Sequence, residues 1–154
     1  MRTTTLAKHS LIALGIGLAS LLSAGQALAQ KMVSISGSSA NMRTGPDTGA
    51  KVMWELKRGY PLEVVQQKGR WLKVKDFEGD QGWVARSLTG SAPHYVVKSP
   101  TGKLRKGPGT QHAIVGKVVY GDVVRTGEKR SGWALVKTQN GQQGWISQKL
   151  MWGW

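Results

Sequence analysis

The 154-residue chain has no cysteine, only three histidines, eight acidic residues and a single phenylalanine. Without cysteine there is no disulfide staple, no cysteine-borne lipid anchor, no thiolate ligand for structural zinc and no thiol nucleophile. Beyond the first thirty residues only His94 and His112 remain, with four Asp and four Glu, most of them beside turn residues. A metal site needs three or four ligands at close quarters, and a serine nucleophile needs a base held by a third group. The expectation is therefore a protein with no metal, no cofactor and no catalytic centre. Long apolar runs are missing too after Leu22, so nothing downstream matches the ~20 residues that span a bilayer.

What is present begins with a leader. Arg2 and Lys8 precede the uncharged apolar stretch Leu11–Leu22, and Ala27-Leu28-Ala29 follows as a small-residue cleavage signal. Residues 1–29 are thus predicted to be a secretory signal peptide, and its core is too short for a retained membrane span. With Arg2 and Lys8 removed, 20 basic residues face 8 acidic ones, a net charge of +12. That excess favours anionic partners. In an exported, periplasmic or envelope-associated protein these are wall carboxylates, lipopolysaccharide phosphates or acidic polysaccharides; nucleic acid suits the charge but not the compartment.

The chain also repeats itself. "GDQGWV" (Gly79–Val84) returns as "GQQGWI" (Gly141–Ile146), and a shift of 62 aligns Asn41–Leu88 with Lys103–Leu150 without a gap. Thirteen of 48 positions are identical, against roughly 6% expected by composition. The period is too long for a solenoid unit, so each copy should be a small domain with its own core. Strands are predicted at Met32–Ser36, Val52–Leu56, Leu62–Gln66, Trp71–Lys75 and Gly82–Ala85. In the second copy they fall at Tyr95–Lys98, Ile114–Val118, Val123–Thr126, Trp133–Lys137 and Gly144–Ser147. Asn140-Gly141, with Glu78-Gly79 at the matching place, marks a tight hairpin. The expected fold is all-β, two tandem five-stranded barrels: 30–89, a linker at 90–93, 94–151, and a tail at 152–154.

The spaced Gly, Pro and Trp carry a resemblance. "NMRTGP" (Asn41–Pro46), Gly59, "WLKV" (Trp71–Val74) and "GDQGWV" resemble the bacterial SH3 domain pattern, as do "KLRKGP" (Lys103–Pro108), Gly121, "WALV" (Trp133–Val136) and "GQQGWI". The resemblance implies small SH3-like β-barrels that act as binding modules, with cell-wall peptidoglycan peptide or glycan as the implied partner. Two other readings stand beside it: a periplasmic adaptor that binds an envelope protein, and a polyanion binder working by charge alone.

The candidate ligand-binding residues are Asn41, Arg43, Trp54, Tyr60, Trp71, Lys73, Arg105 and Trp133. In Trp71–Val74 and Trp133–Val136 the parity of Leu72, Val74, Ala134 and Val136 suits the core, which turns Trp71 and Trp133 to the opposite face with Lys73. There each tryptophan either stacks on a sugar or peptide or is covered by a loop. Arg43 and Arg105 either fix the loop before Gly-Pro through its carbonyls or contact ligand. Trp83 and Trp145 are read as wedges that complete the two small cores. Copy one alone has Asn41 and Trp54, which Lys103 and Gly116 replace in copy two. The aromatic tail Met151–Trp154 leaves three readings open: a plug for one barrel end, a dock for a partner, or a contact with membrane headgroups.

Overall fold

The computed structural model describes residues 30–154; the predicted signal peptide lies outside them. The first copy runs β1 (Met32–Ile35), β2 (Ser39–Arg43), β3 (Val52–Lys57), β4 (Pro61–Lys68), β5 (Trp71–Lys75), β6 (Gln81–Ala85), a 3-10 turn at Arg86–Leu88 and β7 (Thr89–Gly90). The second runs β8 (His94–Val97), β9 (Thr101–Arg105), β10 (Ile114–Val119), β11 (Val123–Arg130), β12 (Trp133–Lys137), β13 (Gln143–Ser147), a 3-10 turn at Gln148–Leu150 and β14 (Met151–Gly153). Among the described residues none is α-helical, and none belongs to a helix long and apolar enough to cross a membrane.

Each copy makes one seven-stranded antiparallel sheet, ordered β3-β2-β6-β5-β4-β1-β7 and β10-β9-β13-β12-β11-β8-β14. The two orders match strand for strand. The long strands β4 and β11 both break register, between Val64 and Gln66 and between Thr126 and Lys129. Such bulges bend a strand and let a small sheet curl over its own core.

Each barrel has a separate core. Val33, Ile35, Met42, Leu56, Leu62, Leu72, Val74 and Val84 fill the first, and Tyr95, Val97, Leu104, Val118, Val124, Val136, Ile146 and Met151 are prominent in the second. The second glycine of the repeated hexapeptide is explained by close approach. A Cβ on Gly82 would lie 2.7 Å from Met42 Cγ, and one on Gly144 would lie 2.7 Å from Leu104 Cβ. Any side chain there would push β6 off β2, or β13 off β9, and open the barrel.

All ten predicted strands are present. Four more add to them: β2 and β9, which carry the Asn-x-Arg-like segments, and the short closing strands β7 and β14. The expectation of a separate tail is corrected by β14. Trp152 pairs with Val96 and Gly153 with Tyr95, while the Trp154 amide donates to the His94 carbonyl at 3.1 Å. Gly90, expected in the linker, pairs with Ser34 in β7.

Candidate functional site

Residues directly opposite on paired strands share a face, so register places the candidate side chains. Leu72 and Val84 pair inside the first barrel, as do Val74 and Gly82. On the outer face, Trp83 pairs with both Lys73 and Arg43, and Trp71 pairs with Ala85 and Lys68. Arg43, Trp71 and Lys73 are therefore brought onto one surface, with Trp83 among them. The second copy repeats the arrangement: Trp145 lies opposite Arg105 and Leu135, and Trp133 opposite Ser147 and Arg130.

The same register corrects the reading of Trp83 as a core wedge; Trp145, read the same way, is buried as expected, but on the outer side of its strand. Their neighbours Gly82, Val84, Gly144 and Ile146 occupy the inside, and the indoles lie outside. Trp83 is half-buried there. Trp145 is more covered, 8% exposed, with the Arg130 guanidinium 5.6 Å from its ring centroid. That distance suits a cation–π contact.

Arg43 and Arg105 hold their loops. Arg43 Nη1 donates to the Ala50 carbonyl at 2.9 Å, and Arg105 Nη1 donates to the carbonyls of Thr110 (3.0 Å) and His112 (2.9 Å). Each guanidinium satisfies carbonyls of the β2–β3 or β9–β10 loop, which carries the Gly-Pro step.

Beside Arg105 a cleft of about 390 Å³ opens in the second barrel. Lys103, Arg105, Thr110, Trp133, Ser147 and Lys149 are among its lining residues. Three cations and one indole line it with no acidic residue. Lys103, Arg105 and Trp133 are the copy-two counterparts of Asn41, Arg43 and Trp71, so the corresponding face of each barrel carries equivalent candidates. Lys103 and Lys149 also line this cleft, and the sequence reading missed both. The one signal for Lys103 is that it replaces the asparagine of the pattern.

The remaining candidates lie toward the sheet edge. Asn41 is exposed on β2 opposite Glu55 on the edge strand β3. Trp54 is 52% exposed on the same edge, its indole N–H donating to Asp80 Oδ2 at 3.2 Å. Tyr60 faces a groove of about 460 Å³ between the barrels, where Glu55, Lys57 and Tyr60 of copy one meet Lys117, Asp122 and Asn140 of copy two. Burial, and next the negative charges of Asp76 and Glu78, push the Tyr60 phenol above its ordinary range, so it stays protonated. Asp76 is buried in the β5–β6 turn, accepting from the amides of Glu78 (3.0 Å) and Asp80 (2.9 Å); burial still raises its carboxyl above the usual range.

The barrels touch at several points around this groove. Phe77 stands 6.3 Å from the Tyr60 ring and 5.4 Å from the Tyr120 ring, centroid to centroid. The Tyr120 hydroxyl donates to Glu78, which raises the phenol's pKa. Ser34 Oγ donates to the Ala92 carbonyl at 2.7 Å. The His94 ring packs over Gly59, and its Nδ1 donates to the Ala92 carbonyl at 2.8 Å. Among the described residues no group of three His, Cys, Asp or Glu side chains is placed to hold a metal ion.

The chain is similar in part to several known proteins. The putative N-acetylmuramoyl-L-alanine amidase YrvJ of Bacillus subtilis is 26% identical over 122 residues, 72% of this chain and 23% of its own length. The probable cell wall amidase LytH of Staphylococcus epidermidis is 34% identical over 47 residues, 30% of this chain and 16% of its own. This chain thus spans under a quarter of either relative. Among solved structures, an NLPC/P60 family protein of Bacillus cereus is 19% identical and aligns over 80% of this chain and 56% of its own, with a TM-score of 0.39. NlpC1 of Trichomonas vaginalis is 14% identical over 87% and 50%, with a TM-score of 0.37. Two family models, each described as a bacterial SH3 domain, match residues 36–90 and 100–151. The chain belongs to the bacterial SH3 domain family and carries two such domains in tandem.

Proposed function

We propose that the protein is a non-catalytic, exported binding protein of the cell envelope that holds peptidoglycan through its outer barrel faces. The observation that carries this reading is the cleft of Trp133, Lys103, Arg105 and Lys149, an aromatic platform ringed by cations with no acid in its lining. An indole stacks on the apolar face of a sugar, and the cations pair with the free carboxylates of the stem peptides. The amidase relatives support a wall polymer over other polyanions. Asn41, Arg43, Trp71 and Lys73 form the matching surface of copy one; Trp54, opposite Met42, sits on the other side of the sheet edge. Each site alone binds weakly, and two on one chain gain by avidity when both engage one polymer. The non-catalytic part rests on chemistry. His94 is tied to a backbone carbonyl beside Arg125 and has no carboxylate to orient it as a base.

The test is co-sedimentation with purified peptidoglycan at low and high salt. Trp133→Ala should weaken binding about 10-fold, the scale of losing one aromatic anchor. Binding should fall only in part as salt rises. Complete loss at high salt would leave the charge-driven polyanion reading. Sedimentation of Trp133→Ala and Trp71→Ala like wild type would move the site off these faces and favour an envelope protein as partner.

A further inference from the structure

We propose that the groove between the barrels is a second, separate binding site, for a short peptide that carries both a free ammonium and a free carboxylate. It stands apart from the outer-face clefts and does not depend on their binding a wall polymer.

Charge sets the groove apart. Glu55 and Lys57 lie two residues apart on β3, so they share a side of the strand, and Tyr60 follows at the corner. The facing wall supplies Lys117 from β10 and Asp122 from the turn after it. Each wall thus offers one cation and one anion. Among the described residues the ion pairs are Lys75–Glu63 and Arg130–Glu128, and neither involves these four groups. Four charges of balanced sign around one cavity, none neutralised by another, suit a ligand that is itself a zwitterion. A simple polyanion would meet Glu55 and Asp122 as repulsion. This distinguishes the groove from the Trp133 cleft, whose lining holds cations alone.

Polar groups between the charges fit a peptide backbone. Tyr60 and Asn140, both with polar side chains, line the space, and a peptide unit needs one donor and one acceptor. About 460 Å³ lies within the ~300–1,000 Å³ of pockets that take small ligands.

The walls are also held in place. Phe77 of copy one packs between Tyr60 and Tyr120, and the Tyr120 hydroxyl donates to Glu78 across the boundary. Ser34 and His94 both bond the Ala92 carbonyl, which ties the start of each barrel to the linker. A site built from two fixed walls costs little to order on binding.

The experiment is a titration of ¹⁵N-labelled protein with tri-alanine, followed by amide chemical shifts. Parallel titrations use N-acetylated and C-amidated tri-alanine. Free tri-alanine should shift Gly121, Asp122 and Asn140, and each cap should weaken binding by about 5-fold, the upper scale of one exposed ion pair. Lys117→Glu should abolish the shifts, while Trp133→Ala leaves them intact. Both Lys117 and Glu55 are exposed, so Lys117→Glu and Glu55→Lys test charge without disturbing a core. Equal binding of capped and free peptides would overturn the proposal, as would shifts confined to Lys103, Trp133 and Lys149. In the latter case the outer-face reading stands and only the groove is lost. Peptide binding at the groove with no sedimentation on peptidoglycan would do the reverse, keeping the groove and removing the outer-face site.

Discussion

Gly59 and Gly121 occupy the same corner of their barrels and hold the same left-handed backbone, φ 82° and 84°. Their surroundings differ completely. A Cβ on Gly59 would meet His94 Cδ2 at 2.7 Å, His94 Nε2 at 2.9 Å and Val123 Cγ1 at 3.2 Å, all from the other barrel; a Cβ on Gly121 would meet nothing within 4 Å. One corner is a socket for the neighbouring domain, and its twin is a wall of the open groove. The same division runs through the repeat. Residues kept in both copies, such as Arg43/Arg105, Gly82/Gly144 and Val74/Val136, fix loops and cores. Residues that differ, such as Trp54/Gly116, Glu55/Lys117 and Asp76/Thr138, lie at edges, in the groove or in turns. The two barrels share their loops and cores and differ at the shared corner and edge.

The largest effect should come from breaking the core of one copy at a time. Met42 and Leu104 are equivalent and both 0% exposed, in separate clusters. Met42→Ala and Leu104→Ala should each cost about 2–5 kcal/mol, the usual range for truncating a buried side chain. Calorimetry should show each variant lowering the transition of its own barrel, with the other moving far less. Two variants that lower a single shared transition equally would show that the barrels unfold as one body.

A smaller effect should sharpen the corner comparison. Gly121→Ala should cost about 1–2 kcal/mol, the strain of a Cβ in left-handed backbone. Gly59→Ala carries the same strain and in addition drives a methyl into the His94 ring, so about 2–4 kcal/mol is expected. His94→Ala in the Gly59→Ala background should recover the excess, because the two sites touch and their effects are not additive. Equal losses in denaturant titrations of Gly59→Ala and Gly121→Ala would mean that the socket is not closed in solution.

The barrels were legible in the sequence because their determinants are local. Alternation in Leu72-Lys73-Val74, the Asn140-Gly141 turn and a 62-residue period need no knowledge of distant contacts. β2 and β9 escaped because their inward positions are Ala40 and Met42, or Gly102 and Leu104, flanked by Ser, Asn, Thr and Lys. Too few bulky apolar residues lie there to register as a strand. Reading Trp83 as core failed for a different reason: it weighted side-chain size over parity, whereas Trp145 is buried as expected, against the outer side of its strand. In Gly-Trp-Val the small and the branched neighbours take the inside, and the indole must lie outside. Parity of the same kind, in Trp71–Val74 and Trp133–Val136, turns those two indoles to the outer face. The groove was not legible at all, since Tyr60, Lys117 and Asp122 meet only through the way one barrel sits against the other.

The smallest effect should appear as a pH dependence of the barrel–barrel contact. Burial lowers the His94 pKa from the ordinary 6.5, and the facing Arg125, paired with it across β8 and β11, pushes the same way against the bond to the Ala92 carbonyl. The unfolded chain therefore binds more protons than the folded one between the lowered value and 6.5. Stability contributed by the neutral ring is complete above that window and is lost as pH falls through it. Asp76 acts with the opposite sign. Its raised carboxyl pKa makes stability fall as pH rises from 3.8 toward the folded value, so a raw stability curve mixes the two. The difference between wild type and His94→Asn isolates the histidine, since Asn keeps a donor for the Ala92 carbonyl without the titration. Because the ring is only half-buried, the difference should change by about 1 kcal/mol or less between about pH 8 and about pH 5, falling toward acid. In Gly121→Ala, which leaves the socket untouched, that change should persist. In Gly59→Ala, which displaces the ring, it should vanish. A pH-independent difference in the wild-type background would place the His94 ring in water and remove the socket from copy one.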